Sequence, residues 1–268
     1  MSVERFLSAS HLHFCSMLPK ALGIIPARYA STRFPGKPLF PIAGKPLLQH
    51  VWERCRLARS LDSVIIATDD MRIANAAFNW GAEVALTSTD HASGTDRIAQ
   101  VAKSAAKFSY IMNIQGDEPL IEPRLIDRLV ARLGADKRVD IVTAAHPFDN
   151  AAEASSPHQV KVVIDRTGRA LYFSRSPIPF LRNPNTGYKT LRHQGIYGFR
   201  RETLLQFVQW KPSPLERAEE LEQLRALENG VTVHVLVTKQ GSPGVDTPKD
   251  AAALERKLVR ATRRSGSK

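Results

Sequence analysis

Ile24-Ile25-Pro26-Ala27-Arg28-Tyr29-Ala30-Ser31-Thr32-Arg33-Phe34-Pro35-Gly36-Lys37-Pro38-Leu39 decides how this chain is read. The apolar run Leu22 to Ile25 predicts a buried strand that breaks at Pro26 into a loop. That loop carries Arg28, Arg33 and Lys37, the hydroxyls of Ser31 and Thr32, and Gly36. Just beyond, Pro46 opens an amphipathic helix. A strand feeding a basic, Gly/Ser-containing loop near the first helix is a place to hold phosphates. Backbone N–H groups and fixed cations neutralise a polyphosphate there. The loop follows neither common phosphate design: Lys37 precedes Pro38 rather than Ser or Thr, and G-x-G-x-x-G is absent.

Outward from the loop, strand and helix alternate. Leu47, Leu48, Val51, Trp52, Cys55 and Ala58 share one face of a helix over Pro46–Arg59. Ser63–Thr68 reads as a buried strand, followed by Asp69-Asp70 and a helix to about Trp80. A short strand at Glu83–Leu86, a helix from about Thr95 and a strand at Tyr110–Gln115 continue the pattern. A further helix carries Leu125, Ile126, Leu129, Val130 and Leu133. Steady alternation to residue 145 predicts a mostly parallel sheet with helices on both faces. The second half differs. Val160–Asp165 and Ala170–Ser174 flank a Thr167-Gly168 hairpin turn, Pro177–Lys189 reads as a mobile loop, and Gly195–Phe199 as another strand. A Glu-rich helix is expected over Pro214–Asn229, stopped by Gly230. These elements predict a smaller, β-rich lobe.

With 268 residues, 43% apolar and 24% charged, the chain can bury a full core. No apolar run approaches the length of a membrane span, so no membrane insertion is expected. His11 and His13 interrupt the mildly apolar N-terminus, which argues against a secretory signal. Two cysteines, Cys15 and Cys55, suit a reducing cytoplasm, and Cys55 reads as a core thiol. Residues 1–19 read as an extension, within which Met17 is an alternative start. His11-Leu-His-Phe-Cys15 offers metal-ligand types, but no second cluster completes a site. The net charge of +12 invites a nucleic-acid partner, yet its placement argues otherwise. Glu255 to Lys268 holds six basic residues against one acid, and this segment reads as a solvated helix end.

Two carboxylates stand out. Asp117, in Gln115-Gly-Asp-Glu-Pro119, follows a strongly apolar strand, at whose C-terminal end open α/β sheets gather ligands. Alone it reads equally as a turn with an Asx bond, or as an acid holding magnesium against a substrate phosphate. Asp246, in Gly244-Val-Asp-Thr-Pro248, reads alone as a helix N-cap. Together with a basic phosphate loop, the two acids shift the reading toward Mg²⁺-dependent nucleotidyl transfer. In Asp90-His-Ala-Ser-Gly-Thr-Asp-Arg97, helix capping accounts for Ser93 or Thr95 but not for Arg97. Phe173-Ser-Arg175 and Arg192-His-Gln-Gly-Ile-Tyr197 each place a cation at a strand edge, where an acidic sugar carboxylate would find a partner. A lone His193 is more often structural than catalytic.

With those residues in view, the chain resembles the CMP-Kdo synthetase (3-deoxy-manno-octulosonate cytidylyltransferase) family. The match runs from about residue 21 to 258 and takes in the Pro26–Leu39 loop, the 91–97, 115–119, 173–175 and 192–197 motifs, Pro212-Ser-Pro-Leu-Glu216, Leu221-Glu-Gln-Leu-Arg225 and Gly244–Pro248. The loop is shared with other sugar-nucleotidyl transferases; the 192 and 221 motifs are more specific. The resemblance implies a three-layer αβα fold of the nucleotide-diphospho-sugar transferase type with a mostly parallel, mixed sheet. It places a CTP-binding half at 20–150, a sugar-binding and dimerisation lobe at about 151–230, and a return to the main sheet at 231–258. The implied reaction is CTP plus Kdo giving CMP-Kdo and pyrophosphate, for lipopolysaccharide biosynthesis, in a cytoplasmic homodimer.

The resemblance also assigns roles. Arg28 and Lys37 hold the triphosphate, supported by Ser31 and Arg33; Arg97 and Gln115 define the cytosine pocket, with Ala27 and Ser93 in the same nucleotide set. Asp117 and Asp246 hold Mg²⁺, and Arg175, His193, Tyr197, Glu222 and Gln223 line the sugar site. Residues 1–19 and the basic tail 259–268 lie outside the pattern and inherit no role. Two rival readings are a cytidylyltransferase for another acidic sugar and a nucleic-acid binder acting through the tail. An inactive scaffold is a third, opposed by the presence of Arg28, Lys37, Asp117 and Asp246.

Overall fold

The structure, a computed structural model, describes residues 19–30 and 34–265, with side chains to residue 260 except Ala151 and Pro184. Eleven strands occur in these residues: β1 (Ala21–Ala27), β2 (Pro41–Ile42), β3 (Lys45–Pro46), β4 (Ser63–Thr68), β5 (Glu83–Leu86), β6 (Tyr110–Asn113), β7 (Ile141–Pro147), β8 (Lys161–Ile164), β9 (Ala170–Ser174), β10 (Leu191–Arg200) and β11 (Val233–Val237). The helices are α1 (Leu47–Cys55), α2 (Met71–Asn79), α3 (Gly94–Ser104), α4 (Pro123–Ala135), α5 (Ala151–Ser155), α6 (Arg201–Phe207), α7 (Pro214–Glu219), α8 (Gln223–Glu228) and α9 (Pro248–Ser265).

β1 is the centre of the sheet because its residues are apolar on both faces. Leu22, Ile24 and Ile25 have no exposed surface. Side chains alternate across the strand, so Leu22 and Ile24 join a cluster with α3, α6 and α8, whereas Ala21, Ile25 and Ala27 join one with α1, α2 and α4. These are the two helical layers of an αβα sandwich. Strand order is β11-β7-β10-β6-β1-β4-β5. β1 runs parallel to both β4 and β6, β4 to β5, and β11 to β7. The expectation of a mostly parallel, mixed sheet between helices is met.

The antiparallel member is β10, wedged between β6 and β7. It is twice the length read from Gly195–Phe199, and its register shifts between Gln194 and Tyr197. The β8–β9 hairpin pairs with the N-terminal end of β10, so this part of the β-rich stretch at 151–230 continues the main sheet. The helix read over Pro214–Asn229 is two helices. Glu220 adopts the left-handed conformation (φ 50°), ending α7 so that α8 starts in a new direction. Arg175 supports that corner by donating to the carbonyls of Glu219 (2.7 Å) and Glu220 (3.3 Å).

Gly198 lies where β10 is flanked on both sides. A Cβ there would sit 2.7 Å from both Met112 Sδ and Val142 Cγ2. Gly198→Ala is therefore expected to cost about 1–3 kcal/mol through overpacking, read from urea midpoints at unchanged m-value.

α9 carries the chain back to its beginning. Leu254, Ala251 and Val245 pack with Phe34, Ile42 and Leu47 in a third apolar cluster beside the 26–39 loop. Glu255 accepts the backbone N–H of Ala43 (2.9 Å). No helix among the described residues is long and apolar enough to cross a membrane. Cys55 is buried and free, as a core thiol should be, and burial pushes its pKa above the usual thiol range.

Candidate active site

From β1 the chain steps outward to β4 and β5, then crosses back through α3 to β6 on the other side of β1. The reversal opens a crevice at the C-terminal ends of β1 and β6, where open α/β sheets take their ligands. Arg28 leaves one strand there and Asp117 the turn after the other. α3 runs antiparallel to β1, so its N-terminus and partial positive charge point to the same end.

Gly36 makes the loop's return possible. Its left-handed backbone (φ 70°) donates to the carbonyl of Tyr29 at 3.1 Å, and a Cβ would lie 3.1 Å from the Tyr29 hydroxyl. A 3-10 turn at Lys37–Leu39 then sends Lys37 inward. Its Nζ donates to Asp117 Oδ2 at 2.7 Å and to Asp246 Oδ1 at 3.3 Å. Gly116 brings Asp117 close to β1, since a Cβ at that position would meet the Pro26 carbonyl at 3.2 Å. Asp246 arrives from the far end of the chain, where Val245 N–H donates to the Asp117 carbonyl at 2.9 Å. The capping role read for Asp246 falls instead to Thr247 and Asp250. The Asp250 carboxylate accepts from the N–H groups of Asp246 (3.1 Å) and Thr247 (2.9 Å). The Asp246 carboxylate is left facing Lys37.

Arg28 ties the loop to the start of α3, its guanidinium donating to the carbonyls of His91 and Ser93. Ser93 closes a capping box with Asp96. Thr95 donates its hydroxyl to Glu222, which brings the 221–225 motif onto the α3 N-terminus. Burial raises the Glu222 pKa, and the Thr95 and Ser93 hydroxyls oppose the shift. Tyr197, Glu222, Gln223 and Thr95 surround a small cavity of about 30 Å³. The Tyr197 hydroxyl is buried there with no partner among the described residues. Gln115 joins the two halves, donating from Nε2 to the Gly195 carbonyl at 3.1 Å inside the β10 irregularity. Ala27 is buried at the end of β1. Ser31 and Arg33 lie outside the described residues.

Three of the expected site side chains have partners within the protein. Arg97, expected in the base pocket, has no exposed surface; its guanidinium pairs with Asp69 at 2.9 Å and donates to Thr87. It shapes the ends of β4 and β5 from beneath. Arg175, expected to face the sugar carboxylate, has its donors on the carbonyls of Pro157, Glu219 and Glu220. His193, expected to line the sugar site and more often structural than catalytic when alone, sits among aromatic rings. Its ring packs edge-on against Phe173 (5.1 Å), and burial pushes its pKa down to about 3. The Thr143 hydroxyl lies 2.8 Å from the Ile196 carbonyl and 3.0 Å from His193 Nε2. Its single proton goes to the carbonyl, so Nε2–H of the neutral imidazole donates to Thr143.

Because this folded pKa is depressed, the contribution of neutral His193 is present above pH 6.5 and is lost as pH falls toward 3. Stability is expected to drop by about 2 kcal/mol between pH 7 and pH 5 from this residue alone. His193→Gln should flatten that part of the melting-temperature profile.

Sequence reasoning passed over Glu118, Thr143 and Lys161. Burial, then the neighbouring Asp117, pushes the Glu118 carboxyl up to about 8, with Arg192 acting in the opposite direction. Lys161 has no exposed surface and donates to the carbonyls of Ser156, Gln159 and Arg175, holding the end of β9. Its place in an apolar alternating strand hid it; the Asp-Glu-Pro sequence was the available signal for Glu118.

Asp117 and Asp246 reach one common centre, the Lys37 ammonium, while their side chains stay 29% and 48% exposed. Two hard oxygen donors with room beside them fit Mg²⁺, which takes one or two carboxylates and completes its shell with water and substrate phosphate. Among the described residues no group of three or more His, Cys, Asp or Glu forms a metal cage.

A phosphate loop, two converging acids and a strand-order reversal define an α/β nucleotidyltransferase. A family model described as cytidylyltransferase matches residues 22–235. The 3-deoxy-manno-octulosonate cytidylyltransferase of Solibacter usitatus is 50% identical over 237 residues, spanning 88% of this chain and 94% of that protein. That of Geobacter sulfurreducens is 49% identical over 245 residues, spanning 88% and 98%. A CMP:2-keto-3-deoxy-manno-octonic acid synthetase solved in complex with CTP superposes with a TM-score of 0.87 at 41% identity, covering 90% of this chain and 99% of that one. The chain belongs to the 3-deoxy-manno-octulosonate cytidylyltransferase family.

Proposed function

We propose that this protein transfers a cytidylyl group from CTP to Kdo, giving CMP-Kdo and pyrophosphate. The observation that carries the reading is the Lys37 ammonium shared by Asp117 and Asp246 at the mouth of the β1–β6 crevice.

Arg28, Lys37 and the loop N–H groups hold the triphosphate, and the α3 N-terminus adds its dipole. Asp117 and Asp246 are the residues that would hold a divalent metal, Mg²⁺, which would supply charge withdrawal from the phosphoryl oxygens and the leaving group. When the triphosphate binds, Lys37 exchanges its carboxylate partners for phosphate oxygens. The anomeric hydroxyl of Kdo attacks the α-phosphorus in line. One O–P bond forms there, the α–β bridge breaks, pyrophosphate departs, and the hydroxyl proton passes to solvent. No side chain is assigned as general base; alignment and fixed charge supply the acceleration.

Tyr197, Glu222 and Gln223 meet the sugar on the α3–α8 face, with neutral His193 as a hydrogen-bonding partner. Arg175 acts by holding the Glu219–Glu220 corner from which α8 starts. We place the dimer contact on the loop bearing Phe180, 87% exposed, and Tyr188, 44% exposed, together with Leu171 of β9. A reducing cytoplasm suits the buried free Cys55.

Pyrophosphate release with Mg²⁺ tests the reading: CTP should exceed UTP and ATP, and Kdo should exceed sialic acid. Release with sialic acid but not Kdo would overturn the substrate assignment.

A further inference from the structure

Along β10, Leu191 and His193 face the helical layer of α3, α6 and α8, so Arg192 between them faces the other side. Its cross-strand neighbour on β7 is His146. On that face a cleft of about 270 Å³ is lined by Arg192, His146, Asp149 and the strap Gln240–Pro243. Among the described residues the Arg192 guanidinium makes no ion pair and no hydrogen bond. Two further polar atoms in the same lining, His146 Nδ1 and Ser242 Oγ, are buried without partners. The strap lies on the imidazole, for a Cβ on Gly241 would sit 2.6 Å from His146 Nδ1. It is anchored at both ends. Gln194 Nε2 donates to Thr238 Oγ1 at 2.8 Å, and Val245 N–H donates to the Asp117 carbonyl at 2.9 Å. One residue beyond the second anchor is Asp246.

We propose that this cleft is an anion site for a small oxyanion of the phosphate class, held by Arg192, His146 Nδ1–H and Ser242 Oγ–H on the sheet face opposite Tyr197 and Glu222. An unpaired guanidinium, an imidazole N–H and a hydroxyl converge as donors, and the volume is about nine times the ~30 Å³ share of a water molecule in the liquid. Asp149 stands exposed on the rim as one opposing charge, Glu153 lies on the next turn, and the buried Glu118 carboxyl, which interacts electrostatically with Arg192, is a third acid in reach of it. Occupation presses on the strap and so reaches Asp246, coupling anion level to the catalytic crevice.

The test uses the full-length protein with ¹³C-labelled histidine, saturated with CTP to fill the triphosphate loop, at fixed ionic strength. The His146 Hε1 resonance, assigned by its loss in His146→Gln, is followed while inorganic phosphate or pyrophosphate is added. A saturable shift is expected, with pyrophosphate or phosphate identified as the physiological source by the tighter curve. Arg192→Gln should weaken binding about tenfold or more, and Asp149→Asn should tighten it about two- to threefold. Circular dichroism and the melting temperature establish that Arg192→Gln is folded. The proposal is overturned by an unmoved resonance, by equal affinity in Arg192→Gln, by equal affinity for acetate, or by a shift that CTP abolishes. Each of these leaves the pyrophosphate-release result untouched, so failure here is separable from failure of the proposed reaction.

Discussion

Asp117→Asn is expected to lower the rate of pyrophosphate release by about 10³-fold or more while the protein stays folded. The amide keeps the shape of the carboxylate, and the Asp117 carbonyl still accepts Val245 N–H, so the 2.9 Å tie to the last helix survives. What disappears is charge. Lys37 loses its 2.7 Å partner, and the pair of acids is reduced to Asp246 alone. A melting temperature within a few degrees of wild type (~1 kcal/mol on this size of chain) separates lost chemistry from lost fold. A near-normal rate in that variant would remove Asp117 from the metal site.

Asp69→Ala should have the largest effect on stability, about 3–5 kcal/mol, or roughly 10 °C in melting temperature. Arg97 has no exposed surface and relies on Asp69 for charge compensation; Thr87 supplies one further acceptor, while Arg97 Nε has none. Deleting the acid strands a guanidinium in the interior. The double variant Asp69→Ala/Arg97→Met removes both charges and should recover most of the loss, because an apolar pair of similar volume avoids the desolvation penalty. Equal melting temperatures for wild type and Asp69→Ala would contradict this account of Arg97.

The parallel half of the fold was legible from residues whose burial is decided locally. Leu22–Ile25, Val64–Ala67 and Tyr110–Met112 are apolar on both faces, and such runs fit only the interior of a covered sheet. The wedge of β10 was not legible, because Leu191–Arg200 mixes Arg, His, Gln and Gly with apolar residues and takes its place from two partners distant in sequence. The break at Glu220 was invisible for a similar reason: a left-handed glutamate is held by Arg175, 45 residues earlier. The family resemblance of the motifs assigned Lys37, Asp117 and Asp246 to one site, and the structure brings the three together. The resemblance could not say whether a cation on a motif faces a ligand or the protein. Arg97 and Arg175 face the protein, and His193 sheds its charge because it packs among rings.

The return of α9 to the 26–39 loop has a consequence for synthesis. Lys37 reaches Asp117 across 80 residues but Asp246 across 209, and the Ile42–Leu47 cluster closes only with Ala251 and Leu254. On the ribosome the sheet from β1 to β6 can assemble early, yet one wall of the crevice is missing until the last helix emerges. A nascent chain therefore has a nearly finished body and an unfinished catalytic centre, so turnover begins only once Asp246 and α9 have been made and have folded back onto the loop.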